Sequence, residues 1–238
     1  MITVRQPDEI HKASGKIQNG TFHGHWHFSF DRYRDAEYES FGNLLVFNDE
    51  TLSPGAAWPL HPHRDIELVT YCAGGEFRHA DEYGSARALR KGWVQHTTVG
   101  RGMWHSEINN LPDQPARFIQ MWFKPVARDL IPSVEQLPVT RDERKGRFLP
   151  VVSSHHDKAL PIFSDAEVYA CFLEARQFVR YTPNPRRGIY LYVVEGGPIL
   201  LDGLRMPALS AAMITGEGIL ALTSADDTEL LLVDVLMA

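Results

Sequence analysis

The stretch GAAWPLHPHRDIELVTYCAG, residues 55–74, decides the reading of this chain. His61 and His63 stand one residue apart, and Asp65 and Glu67 follow at the same step. Alternate side chains of a strand share a face, so one regular strand would put all four on one side. Pro62 would then lie on the other face, as at an edge or the first residues of a strand. Beyond Glu67 the run turns apolar and stops at Gly74-Gly75, the pattern of a buried strand ending in a turn. Such a polar face is either a set of ligands or a solvated edge.

A second stretch favours ligands. In GRGMWHSEINN, residues 100–110, His105 and Glu107 are again two apart and follow a glycine-rich turn. Together His61, His63, His105 and Glu107 supply three imidazoles and a carboxylate from two strands. Nitrogen and oxygen donors of this kind suit iron, manganese, nickel, copper or zinc without selecting one. A vacant coordination position would leave room for substrate or dioxygen.

The rest of the chain reads as strands. NLLVFND, RFIQMWFKP, GIYLYVVEGG, PILLDG and ELLLVDVLM are short apolar runs bounded by Gly, Asn, Asp or Pro. Many short strands at close spacing predict an all-β sandwich or barrel. PSVEQL (132–137) and SDAEVYACFLEA (164–175) could each carry a short helical turn. The segment from Pro125 to Pro150 holds four prolines and the charged run RDERKGR, which suggests a connection between domains near residue 140. The halves echo one another, since IELVTYCAGG and GIYLYVVEGG both run into a Gly-Gly turn. Two copies suggest a duplicated β-domain rather than a solenoid. Aligning Gly74-Gly75 on Gly196-Gly197 puts Pro183, Pro185 and Ile189 where His61, His63 and Glu67 stand, so the second half is expected to hold no metal.

Composition narrows the classes. Of 238 residues, 44% are hydrophobic, with 5 Trp, 12 Phe and 8 Tyr, ample for a core. A net charge of −6 is the wrong sign for sequence-independent contact with nucleic acid. No apolar run approaches the roughly 20 residues of a membrane span, and the N-terminal residues do not read as a signal peptide. Two isolated cysteines, Cys72 and Cys171, read as buried free thiols, so the expected location is the cytoplasm.

Other histidines read as structural. His23, His25 and His27 alternate well but lack partnering carboxylates. His79, beside the turn-like EYGS, reads as a surface residue, and His96 as either exposed or a support to the site. The adjacent His155 and His156 would point opposite ways on a strand. Cys72 has the opposite parity from His63 and Glu67 and reads as a small core residue. No phosphate loop or nucleophile elbow occurs.

Residues 55–74 match the first cupin motif: Gly55, five residues, His61-x-His63, three residues, Glu67, six residues, Gly74. GRGMWHSEIN resembles the second, with Asn109 after His105 and Gly100 in place of the usual proline. HPHRDIE paired with HSEIN, together with WHFSFDRY and NLLVFNDETLSPG, resembles the pirin family of bicupins. The resemblance implies two jelly-roll domains, residues 1–140 binding metal and 141–238 without ligands. It implies one divalent metal, iron(II) before manganese, nickel, copper or zinc, on His61, His63, His105 and Glu107. Glu67, the ligand of many other cupins, is the alternative, or else a partner orienting a histidine. Bacterial pirins resemble quercetin 2,3-dioxygenases, which implies a small aromatic substrate and dioxygen, with Glu107 as ligand, general base or both. The other implied role is a metal- or redox-responsive regulator with a protein partner; a cupin acting on a sugar or another small metabolite is a third.

Overall fold

A computed structural model describes residues 1–237. The first half is a sandwich of two antiparallel sheets. Its seven-stranded sheet runs in the order Ser133–Leu137, Val94–Thr98, Glu67–Gly74, Ala116–Phe123, Leu44–Leu52, Gly20–Trp26, His11–Ile17. Its four-stranded sheet runs Ala57–His63, Met103–Asn109, Glu76–Asp81, Ala86–Arg90. The second half repeats the plan. A six-stranded sheet orders Ile2–Arg5, Ala211–Thr215, Arg187–Glu195, Thr228–Leu236, Ala166–Leu173, Leu149–Ser153, and a four-stranded sheet orders Phe178–Tyr181, Leu220–Ser224, Ile199–Leu201, Leu204–Met206. The protein is thus all-β and built of two jelly-roll cupin domains. No helix among the described residues is long and apolar enough to cross a membrane.

The strand sequences follow from three cores rather than two. Each large sheet packs on its own small sheet on one face, and the two large sheets pack on each other with the remaining faces. Val69, Tyr71 and Met121 meet Val168, Tyr190 and Val233 in this middle core. Cys72 and Phe118 point the other way, into the first sandwich, as Cys171 and Leu230 do in the second. A strand buried on both faces is apolar throughout. This explains why Ala166–Leu173 is a strand where a helical turn was expected. Val168 and Ala170 enter the middle core while Tyr169, Cys171 and Leu173 enter the outer one, so the run carries no period that separates strand from helix. Residues 133–137 are also a strand, paired with Val94–Thr98. The helical element among the described residues is the 3-10 turn Asp142–Arg144, inside the connecting segment.

Two sequence expectations shift. Strand Ile2–Arg5 precedes the first domain in the chain yet pairs with Ala211–Thr215 of the second, where Ile2 and Val4 pack on its core. The internal echo is one residue out of register. A left-handed Gly75 lets its turn approach Pro115, where a Cβ would meet the carbonyl oxygen at 2.3 Å. The matching close approach in the second half is made by Gly196, against Asp227 at 1.8 Å, so Gly75 corresponds to Gly196. The residues standing for His61, His63 and Glu67 are then Thr182, Asn184 and Gly188, which again offer no imidazole.

Candidate metal centre

The site is made by two neighbouring strands of the first small sheet. Ala57–His63 pairs with Met103–Asn109 so that His61 lies opposite His105 and His63 opposite Met103. A bulge between His105 and Glu107 then sets Glu107 opposite Trp58. The rings of His61, His63 and His105 stand 4.6–5.0 Å apart, centroid to centroid. One nitrogen from each lies within 4.8 Å of the others.

Hydrogen bonding and burial prepare the imidazoles as donors. His61 Nδ1 lies 2.8 Å from the Pro59 carbonyl. A carbonyl only accepts, so this nitrogen carries a proton and Nε2 is the atom available to a metal. Burial, and then the neighbouring His61, pushes His63 down to about 4. Burial pushes His105 down to about 2, with His61, His63 and His79 adding to the effect. His105 is 1% exposed, and neither of its ring nitrogens has a hydrogen-bond partner among the described residues. An unpaired polar group at this depth costs about 1–3 kcal/mol, and a bound cation would use one of these nitrogens. Three convergent imidazoles, two of them held neutral by burial and one with orphaned buried nitrogens, therefore fit a divalent metal.

Glu107 is buried on the same strand as His105 and opens onto the same cavity. The tight group is the three imidazoles; Glu107 stands outside it, with Oε1 accepting from the side-chain amide of Gln120. Burial pushes Glu107 up to about 7, against the opposing pull of that hydrogen bond.

Glu67 stands elsewhere. The strand that carries the two histidines ends at His63, and Asp65 takes a left-handed φ of 51° in the turn that follows. Glu67 therefore opens a strand of the other sheet, and the four polar residues do not share a face. Its Oε2 accepts from His96 Nε2 at 2.8 Å, Thr98 Oγ1 at 3.1 Å and the Phe163 amide at 3.1 Å. Since Phe163 belongs to the second half, Glu67 works at the joint between domains. The histidine it orients is His96, buried and apart from the three-imidazole group.

His79 is a correction too. The EYGS turn exists, with Asp81 accepting from the Tyr83 and Ser85 amides. The His79 side chain nevertheless points inward, holding Asp81 at 2.8 Å with its ring 5.2 Å from that of His105. His27 is buried with Nδ1 2.6 Å from the Tyr190 hydroxyl, and His155 and His156 are exposed. Cys72 is a core residue whose thiol burial pushes up to about 11.

The cavity in front of the histidines encloses about 680 Å³. Phe22, Trp26, Phe30, Trp58 and Trp122 form its aromatic walls. Trp122 meets His63 edge-on at 4.7 Å. Its polar lining includes Asn48, Glu50 and Gln120, which sequence reasoning missed. Glu50 accepts the indole N–H of Trp26 at 2.9 Å and of Trp58 at 3.0 Å, and burial pushes it up to about 7. The available signal was the polar residues Asn48, Glu50 and Gln120 inside strands whose other residues are mostly apolar, in NLLVFNDE and RFIQMWF. Asn48 and Gln120 lie directly opposite one another in the sheet.

Residues 9–123 match the Pirin family model, and residues 150–235 match that of the quercetinase C-terminal cupin domain. A pirin-like protein of Caulobacter vibrioides is 34% identical, covering 92% of this chain and 95% of its own. A quercetin 2,3-dioxygenase of Escherichia coli is 29% identical over 88% of this chain and 90% of its own. The crystal structure of the bacterial pirin YhhW of Escherichia coli in complex with nickel(II) superposes with a TM-score of 0.91, at 26% identity and full coverage of both chains.

Proposed function

The chain belongs to the pirin family, and from that premise we propose that it is a metal-dependent dioxygenase that opens a flavonol such as quercetin with dioxygen. The observation that carries this reading is the junction of two features. Three imidazoles converge at one wall of a cavity whose other walls are aromatic, and a buried carboxylate of raised pKa lines the same cavity.

His61, His63 and His105 would hold the metal, with Glu107, which lines the same cavity, as the fourth ligand. Iron(II) is the first candidate; nickel(II) is the metal named in the similar Escherichia coli structure. When bound, the metal supplies Lewis acidity toward a substrate hydroxyl and the capacity to engage dioxygen.

The chain's own residues do the rest. Trp26, Trp58 and Trp122 offer flat faces and edges to a planar ring system and keep water from it. Glu107, with a pKa near 7, is matched to accept the proton of a flavonol hydroxyl at neutral pH. Gln120 holds Oε1 of that carboxylate toward the cavity, so the basic group is positioned before substrate arrives.

The test is turnover by protein reconstituted separately with iron(II), manganese(II), nickel(II) and copper(II). Loss of quercetin absorbance should be accompanied by dioxygen uptake, with at least one metal well above the metal-free protein. Equal rates for metal-free and every loaded form would contradict the proposal.

A further inference from the structure

Glu50 is a carboxylate of the cavity with no part in the group of three imidazoles. It is 5% exposed and makes no ion pair with Lys or Arg among the described residues. Burying a carboxylate without a cation is costly, and a leucine would fill the same strand position without that cost. The surroundings are built to keep it. The Trp26 indole donates to one oxygen and the Trp58 indole to the other. On the neighbouring strand Gly24 lets the backbone pass close beside it, since a Cβ there would meet the Asp49 carbonyl oxygen at 2.3 Å and then Glu50 Cα and Cγ at 3.0 and 3.1 Å. A carboxylate has about four acceptor positions, and two indoles use two of them. The remaining positions belong to a group that lines the cavity.

We propose that Glu50 is a specificity-determining residue, which accepts a hydrogen bond from a phenolic hydroxyl of the ligand other than the one beside the metal. Trp26 and Trp58 fix the carboxylate and at the same time wall the ring that bears this hydroxyl. The aromatic lattice supports that double role: Phe22 lies 4.7 Å from Trp58, and Phe30 meets Trp26 edge-on at 5.1 Å. The ligand class is therefore a planar polyphenol with hydroxyls on more than one ring, rather than a flavonol bearing only the metal-binding hydroxyl. This inference rests on the flavonol reading above and sharpens it.

The test is binding, with no turnover required. Metal-loaded protein is titrated under nitrogen with quercetin and with 3-hydroxyflavone, following the quenching of tryptophan fluorescence. The wild type should bind quercetin on the order of tenfold or more tighter than 3-hydroxyflavone, as a hydrogen bond to a charged group allows. Glu50→Gln, which keeps one acceptor for the indoles, should reduce that ratio several-fold, and Glu50→Leu should abolish it. Metal content and melting temperature of both variants report whether the centre and fold survive. If both ligands bind but their ratio is the same in wild type and Glu50→Gln, or if the wild type shows no preference, Glu50 does not select the ligand and the flavonol reading stands. If neither ligand binds the wild type, the substrate reading fails and this inference falls with it.

Discussion

Gln120 donates its side-chain amide to Glu107 across the gap between two sheets. Glu107 rides on the small sheet with His105, whereas Gln120 belongs to the seven-stranded sheet behind the cavity. The carboxylate is thereby referenced to both layers of the sandwich. Replacing Gln120 by Ala should leave the fold intact and lower metal affinity or rate per bound metal by about 10- to 100-fold, the usual effect of losing a group that orients a ligand. Chelator competition measures the first and quercetin turnover the second. Wild-type values for both would mean that Glu107 is positioned by its own strand alone.

The two candidate carboxylates should respond differently to the same change. Glu107→Gln removes the proposed base while keeping its size, so the rate per bound metal should fall by roughly 10² to 10⁴. Glu67→Gln alters the partners of His96, Thr98 and Phe163 at the domain joint. It should lower the melting temperature and leave the rate per metal close to wild type. The reverse pattern would exchange their roles.

The joint itself holds a buried charge. Arg117 forks onto Asp49 at 2.9 and 2.5 Å and also reaches the Val194 carbonyl at 2.8 Å, while the Tyr192 hydroxyl donates to Asp49 at 2.5 Å. Arg117→Ala leaves the Asp49 charge buried without its cation and should cost about 3–5 kcal/mol. Tyr192→Phe keeps the ion pair and should cost less, about 1.5–3 kcal/mol for a hydrogen bond to a charged group. Urea unfolding followed by tryptophan fluorescence gives both values, and the prediction fails if their order is inverted.

His27 should make stability depend on pH. Burial, with Arg5 and His25 adding to it, holds this imidazole well below its ordinary value. Above pH 6.5 it is neutral in both folded and unfolded chains. As pH falls below 6.5 the unfolded chain gains a proton that the folded chain refuses, so stability is lost. The loss from this residue should approach about 1.4 kcal/mol per pH unit. His27→Phe removes it, so the wild-type and variant stabilities, measured by urea unfolding between pH 7 and 5, should converge toward the acid end. Parallel curves would show that His27 contributes no such dependence.

Much of this was legible in the chain because the informative residues are close in sequence. The spacing of His61 with His63, and of His105 with Glu107, reflects strand alternation, and the register of two adjacent strands brings His61 opposite His105. The limits are equally physical. A left-handed Asp65 breaks the strand between His63 and Glu67, and a two-residue period cannot reveal such a break. His79 lies beside a genuine turn, yet faces inward because its strand pairs with the one that carries His105. Glu50 and Gln120 come from strands next in sequence to those of the histidines but in the other sheet, and only the packing of the two sheets brings them to one cavity. The exchange of Ile2–Arg5 into the second domain is set by a strand about 210 positions away in sequence, with no local mark in the N-terminal residues.

The central claim is that His61, His63, His105 and Glu107 form one divalent-metal centre. Its most direct test is the metal content of purified, reconstituted protein, measured by elemental analysis for wild type, His61→Ala and His105→Ala, with circular dichroism to verify that each variant is folded. The account predicts close to one metal per chain in the wild type and loss of most of it in both folded variants. Full occupancy retained in both would contradict it.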